Sequence, residues 1–286
     1  MFRVILRQMR VYQWVKNILI FVPLLTAHQF FSVQQWLHCI VAFFSFSFIA
    51  SFIYILNDII DLEADRAHPQ KRNRPLASGQ LTTNSALSIM VTLGLIGGLI
   101  ALYVGPPFMM MLLFYFIVTV LYSLRLKREP ILDVVILAGL YTLRIYAGSV
   151  AANVPVSQWL LSFSVFFFFG LAMVKRLTEI LRIEGTSAAR GYLAKDQNVI
   201  LALGTSGQML SLVILALYLN SPASAALYRQ PEVLWLTTPL LFYWISRLWL
   251  LCARGNMNDD PIVFALKDPQ SWTVFVLFMA VFLWAI

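Results

Sequence analysis

The sequence predicts an all-α, polytopic membrane protein with about nine transmembrane helices and charged surfaces at one side of the bilayer. Three observations carry that expectation. Of 286 residues, 60% are hydrophobic and only 12% charged, against about a quarter charged in a soluble domain. The mean hydropathy is +0.78. The apolar residues fall in runs long enough to cross a bilayer as helix, and no period-2 alternation competes with them.

In order, the runs are 17–35, 37–60, 84–104, 107–124, 131–150, 157–175, 198–219, 232–252 and 270–286. The first is the weakest, interrupted by Pro23 and Gln29. Proline and glycine punctuate the later boundaries, at Gly105-Pro106-Pro107, Pro130, Pro155, Ser221-Pro222 and Pro231. The basic amino end lacks a small-residue cleavage site after its apolar run, so that run reads as a retained span. With no composition shift along the chain, residues 1–286 read as a single transmembrane domain.

Lysine and arginine set the expected orientation. They cluster at the amino end and after the second, fourth, sixth and eighth runs, while the opposite connections hold Arg229 alone. This places the amino end and every second loop in the cytoplasm of a cell-membrane protein. The formal net charge of +8 is thus a membrane-surface feature and does not imply nucleic acid. Cys39 and Cys252 fall at opposite ends of their spans and are not expected to pair. Oligomeric state, including a homo-oligomer, is left open by the sequence.

The most informative segment ends the second run: Asn57-Asp58-x-x-Asp61-x-x-x-Asp65. On a continuous helix at ~100° per residue, Asp58, Asp61 and Asp65 lie within about 60° of one another. Three carboxylates on one face repel unless a cation joins them, and Mg2+ suits hard oxygens that also share a substrate phosphate. An acidic, solvated helix end is the plainer alternative. The next loop carries Lys71, Arg72 and Arg74, cations one loop away from the acids, as a diphosphate requires. A loop that is basic only because it faces the cytoplasm would explain the charges but not their placement.

With Arg74-Pro75 following, the acidic segment resembles the first aspartate-rich motif of the UbiA superfamily of intramembrane prenyltransferases. Three further segments resemble its polyprenyl-phosphate (decaprenyl-phosphate) phosphoribosyltransferase branch. They are Gln13-Trp14-x-Lys16-Asn17, Tyr122 to Lys127 leading to Asp133, and Lys175-Arg176-x-x-Glu179. Two departures stand out. Only Asp133 is present where a second Asp-x-x-x-Asp motif would begin, and Val11 replaces a proline usual in that branch.

The resemblance implies a UbiA-type helical bundle whose active site opens to the cytoplasm. It implies Mg2+-dependent transfer of 5-phosphoribosyl from phosphoribosyl diphosphate to a polyprenyl phosphate, with release of diphosphate. Asp58, Asp61 and Asp65 would hold the metal, and Asp133 would act as a further catalytic carboxylate on metal or sugar. Lys71 and Arg74 would neutralise the leaving group; Lys16, Lys127, Lys175 and Arg176 would bind the sugar or lipid phosphate. Gln13, Asn57, Tyr122 and Glu179 complete the substrate set. Arg144, well inside a span, is expected to face a polar cavity, holding lipid phosphate or a structural partner. Lys175, Glu179 and Arg182 share a face by spacing and could equally form a surface ladder. Arg190-Gly191-Tyr192 is a weak substrate candidate.

Two other functions compete with this reading. A conventional prenyltransferase would join a polyprenyl diphosphate to an aromatic or other small acceptor. A transporter of phosphorylated lipid would need polar residues continuing through the spans, and few are present. His28 and His38, Met109 to Met111, and Trp235, Trp244 and Trp249 read as packing or interfacial anchoring. No glycine-rich phosphate loop, nucleophile elbow or zinc spacing is present.

Overall fold

The computed structural model describes residues 1–69, 71–182, 190–257 and 260–286. Within them the elements are α-helices and short 3-10 segments, with no β-strand element. In chain order the α-helices are α1 (Phe2–Gln8), α2 (Val22–Thr26), α3 (Val33–Ile60), α4 (Leu62–Ala67), α5 (Thr83–Val104), α6 (Pro106–Leu124) and α7 (Leu132–Ala152). They continue as α8 (Gln158–Ile180), α9 (Gln197–Leu219), α10 (Pro222–Leu227), α11 (Thr237–Ala253), α12 (Pro261–Lys267) and α13 (Pro269–Ala285).

Among the described residues, 7 helices are long and apolar enough to cross a membrane, and α12 with α13 makes an eighth if that pair is one span bent by 84°. Seven expected spans fall on these helices within a few residues, and the last falls on α13. The first does not reach its expected end. Residues Val11–Phe21 form a 3-10 helix, α2 follows, and the helical run stops at Thr26. A 3-10 helix rises ~2.0 Å per residue against ~1.5 Å for α, so the run still extends about 30 Å along its contour. Counting residues at the α rise therefore misjudged this span.

Local chemistry explains the boundaries. Thr82 Oγ1 accepts from the Ser85 amide at 3.2 Å and Ser157 Oγ from the Leu160 amide at 3.3 Å, capping α5 and α8. Gly105, at φ +133°, separates α5 from α6, and Pro106 and Pro107 occupy the first turn, where no amide partner is needed. Asp268 caps α13 through the Ser271 amide at 2.8 Å. Cys39 and Cys252 are both free and buried.

The contacts form two compact units: Met1–Arg125 with Leu143–Val156, and Leu126–Thr142 with Ser157–Ile286. In unit 1, α3 packs against α5 and the 3-10 helix. Met9, Ile55, Leu76, Leu81 and Met90 belong to its core, with Val4 and Ile5 of α1 against it. Gly148 permits a backbone contact there: a Cβ would lie 2.0 Å from the Ile20 carbonyl oxygen. Unit 2 is built on the α8–α9 pair with α11 and α13. A Cβ on Gly170 would lie 2.3 Å from the Gln208 Cβ, so glycine sets the α8–α9 approach.

Candidate active site

In unit 1 the acidic motif is assembled at the end of α3. Asp58 and Asp65 are buried, at 3% and 2% exposure. Arg74 Nη1 bridges them, donating to Asp58 Oδ1 at 3.1 Å and to Asp65 Oδ2. Arg10 Nη2 also donates to Asp58 Oδ1, at 2.5 Å, and Lys71 Nζ stands 4.0 Å from Asp65 Oδ1. Gln8 Nε2 donates to Asp58 Oδ2 at 2.9 Å. Two carboxylates thus converge on one cationic nitrogen, with two further cations at the rim.

Asp61 does not complete a triad with them. Among the described residues no three His, Cys, Asp or Glu side chains gather at a point that could hold a metal. The cause is local: α3 ends at Ile60, Asp61 sits at φ −89°, ψ 11°, and α4 starts at Leu62. The angular spacing of a continuous helix does not run through that break. Asp61 is partly exposed and Glu63 exposed.

The chain leading into α3 is fastened along the same face. Trp14 Nε1 donates to Ser51 Oγ at 3.0 Å, Ser51 Oγ to the Met9 carbonyl at 2.8 Å, and Asn17 Nδ2 to Ser47 Oγ at 3.0 Å. Arg10 adopts φ 52°, ψ 48°, and its guanidinium lies 5.0 Å from the Tyr54 ring centroid. Asn57 Nδ2 donates to Ser123 Oγ at 3.0 Å. Arg144, 6% exposed, donates from Nε to Asn17 Oδ1 at 2.8 Å and from Nη2 to the Tyr115 hydroxyl at 3.0 Å. These contacts fasten α6 and α7 to the 3-10 helix. Lys16 and Gln13 are partly buried in that helix, and Tyr122 is buried near the end of α6.

Unit 2 contains a second, closed charge network. Asp133 and Arg176 are both fully buried, and Arg176 Nε donates to Asp133 Oδ2 at 2.5 Å. Arg176 Nη1 donates to Glu179 Oε2 at 2.5 Å, and Arg190 Nε is 3.9 Å from that oxygen. The Tyr192 hydroxyl donates to Asp133 Oδ1 at 2.7 Å and accepts from the Ile131 amide at 2.7 Å. Burial pushes this hydroxyl above the ordinary tyrosine range, opposed by the Ile131 amide and reinforced by Asp133. Arg182 lies beyond α8, and its Nη2 donates to the Met257 carbonyl at 2.8 Å, so the expected Lys175–Glu179–Arg182 ladder is not one helix face. Lys127 and Lys175 are partly buried in unit 2.

Gln8, Arg10 and Tyr192 are the contributors that sequence reasoning missed or undervalued. Gln8 carried a signal: it lies three and four residues after Ile5 and Val4, on the apolar face of α1, where a polar side chain needs a partner. Arg10 carried none beyond its charge.

Tested against the metal that the motif implies, the unit 1 residues fit. The donor set is hard carboxylate oxygen, both carboxylates already share a cation, and Gln8 Oε1 is a buried oxygen without a hydrogen-bond partner. The spans define a multi-pass membrane protein, and its unit 1 site sets buried carboxylates against arginine and lysine. The model of the UbiA prenyltransferase family matches residues 18–267, and the chain belongs to that family.

The chain is 40% identical over 286 residues to the uncharacterized protein y4nM of Sinorhizobium fredii, covering 98% of this chain and 55% of that one. It therefore spans little more than half the length of that relative. It is 34% identical to the nodulation protein NoeC of Azorhizobium caulinodans, covering 92% and 86% of the two chains. It is 28% identical to the decaprenyl-phosphate phosphoribosyltransferase of Mycolicibacterium smegmatis, again covering 92% and 86%. The structure of a UbiA homolog from Archaeoglobus fulgidus bound to GPP and Mg2+ superposes with a TM-score of 0.71 at 17% identity, covering 97% and 99%. That likeness shows the fold.

Proposed function

We propose that this enzyme transfers the 5-phosphoribosyl group from phosphoribosyl diphosphate to a polyprenyl phosphate, with the amino end and the site on the cytoplasmic side of the plasma membrane. The observation that carries the reading is the pair of buried carboxylates, Asp58 and Asp65, joined through Arg74 with Arg10 and Lys71 beside them. Carboxylates for a metal and cations for phosphate oxygens are what a departing diphosphate needs. The branch is supported by the Gln13 to Asn17, Tyr122 to Lys127 and Lys175 to Glu179 segments and by the similarity to the mycobacterial phosphoribosyltransferase.

Asp58 and Asp65 would hold Mg2+. When bound, the metal supplies charge neutralisation on the diphosphate oxygens. Arg74 and Lys71 neutralise the remaining leaving-group charge. The bond between the ribose anomeric carbon and the diphosphate oxygen breaks with its electron pair leaving on diphosphate. An ionised oxygen of the lipid phosphate forms the new bond, so no strong general base is required. Lys16 is the unit 1 candidate for a substrate phosphate. Lys127 and Lys175 are the unit 2 candidates, on the strength of the resemblance.

The test is a donor assay on the full chain in detergent, with Mg2+, a polyprenyl phosphate and radiolabelled phosphoribosyl diphosphate. Label entering the organic phase only with Mg2+ is the expected result. Asp58→Asn should reduce it by at least ~100-fold. If no label moves while a prenyl diphosphate is consumed with an aromatic acceptor, the chain is a conventional prenyltransferase.

A further inference from the structure

We infer that the outward face of α1 docks on anionic lipid headgroups of the membrane that the spans cross, and so fastens the acid site to the bilayer surface. The inference needs only the multi-pass membrane protein described above and does not depend on which donor the enzyme uses. At about 100° per residue, Val4, Ile5 and Gln8 fall on one side of α1, and Phe2, Arg3, Leu6 and Arg7 on the other. The first side faces the protein: Val4 and Ile5 pack against the unit 1 core, and Gln8 is buried on Asp58. The second side is uncovered, with Phe2 73% exposed, Arg3 and Arg7 exposed and Leu6 partly so. Phe2 and Leu6 form its apolar edge and Arg3 and Arg7 its basic edge, the division that a helix lying between acyl chains and headgroups requires.

Position along the chain puts this face at the level of the bilayer surface. Only Met9 and Arg10 separate α1 from the apolar 3-10 helix Val11–Phe21. Tyr12, in the first turn of that helix, is 62% exposed, as suits an aromatic ring at headgroup level. Charge selects an anionic surface. Arg7 Nη2 donates to the Asn73 carbonyl at 3.1 Å, which brings the Arg72–Asn73 segment to α1. Arg3 and Arg72 are exposed, and neither side chain has a hydrogen bond or ion pair among the described residues. Residues 1–75 hold eight Lys and Arg against four Asp and Glu, so four positive charges remain with Asp58, Asp61, Glu63 and Asp65 all ionised. Cations without protein partners beside exposed apolar side chains match anionic headgroups. A soluble polyanion would answer the arginines and leave Phe2 and Leu6 in water.

The consequence for the site is geometric. Gln8 on the inner side of α1 and Arg10 just after it both donate to the Asp58 carboxylate. Arg7 holds the loop that carries Lys71 and Arg74. One short helix therefore joins the lipid surface both to the carboxylate and to the cations around it.

The experiment places a nitroxide on the full chain through Phe2→Cys, the apolar label standing in for the ring. Cys39 and Cys252 are buried, so the label reports one site. The protein is reconstituted in vesicles of phosphatidylcholine alone and of phosphatidylcholine with phosphatidylglycerol. Collision rates of the label with oxygen and with a water-soluble nickel chelate then give its depth. The oxygen-to-nickel ratio should be about threefold higher or more with phosphatidylglycerol present. Adding Arg3→Gln and Arg72→Gln should abolish that difference, and since both side chains are exposed and unpaired the fold is not at risk. Equal ratios in the two lipids without those changes overturn the inference, as does a difference that survives them. A label that stays in water in both lipids assigns the face to a soluble partner and overturns it as well.

Discussion

Replacing Arg176 by Met tests whether the unit 2 charges are structural or bind substrate. Arg176 and Asp133 are both at 0% exposure, so neither charge is solvated. Removing the guanidinium leaves Asp133 with the Tyr192 hydroxyl on one oxygen and takes the 2.5 Å donor from the other. Breaking a buried pair from one side costs about 3–5 kcal/mol, because a charge stays behind in a low-dielectric environment. Glu179 adds little: its side chain is 22% exposed, water can replace part of the lost contact, and a pair of that kind contributes at most about 1 kcal/mol.

Adding Asp133→Asn to Arg176→Met removes the stranded charge and should recover about 2 kcal/mol, a coupling that a double-mutant cycle isolates. Arg176→Lys should fall between, since an ammonium cannot reproduce the two-sided fork. The assay is chemical unfolding, in one detergent, of wild type, Arg176→Met, Asp133→Asn, the double variant and Arg176→Lys. A loss of 3–5 kcal/mol is a large part of a typical total of about 5–15. An unchanged unfolding midpoint for Arg176→Met, with a raised KM for phosphoribosyl diphosphate, would refute the structural role and return Arg176 to the substrate.

Tyr192→Phe should cost about 1–3 kcal/mol by removing a donor to Asp133 and an acceptor for the Ile131 amide. Because the folded hydroxyl titrates above its unfolded value, that advantage is complete below about pH 10 and declines above it; unfolding from pH 6 to pH 11 checks this, and a loss near pH 8 contradicts it. Gly148→Ala sets a Cβ 2.0 Å from the Ile20 carbonyl oxygen, backbone against backbone, and should destabilise by about 3 kcal/mol or more in the same unfolding assay. Arg144→Met strands Asn17 Oδ1 and removes a donor to the Tyr115 hydroxyl, and should lower stability by about 2 kcal/mol. An unchanged midpoint with a raised KM for polyprenyl phosphate would make Arg144 a lipid-phosphate ligand instead.

The spans were legible because lipid imposes one constraint, a long apolar run, that sequence states directly. The exception, Val11 to Thr26, kept its apolar character but changed its rise, and nothing in its composition distinguishes a 3-10 run from an α-helix. The acid site was half legible. Asp58, Asp65, Lys71 and Arg74 lie within 17 consecutive residues, and local spacing brought them together on paper. The break at Asp61 did not follow from spacing, since a one-residue interruption has no proline or glycine to mark it. Gln8 and Arg10 reach Asp58 across 50 and 48 residues, and Arg176 reaches Asp133 across 43. Such contacts are decided by helix packing, which one sequence does not state.

The two charge networks have similar composition, arginines against carboxylates, yet their exposure separates what each can do. In unit 1 the carboxylates are buried while their cations are not: the side chains of Arg10, Arg74 and Lys71 are 21%, 29% and 48% exposed. Such cations can exchange a carboxylate oxygen for a phosphate oxygen without leaving water entirely, so the cost of moving is low. In unit 2 the arginine that joins Asp133 to Glu179 has no exposed surface, and a ligand would have to displace two short contacts to reach it. Burial raises the penalty for any unpaired charge left by that displacement. An exchangeable network suits a substrate that must enter and leave at each turnover, and a closed one suits a fixed joint. The physical case for chemistry therefore rests with Asp58 and Asp65, and Asp133 is better understood through the arginine that holds it.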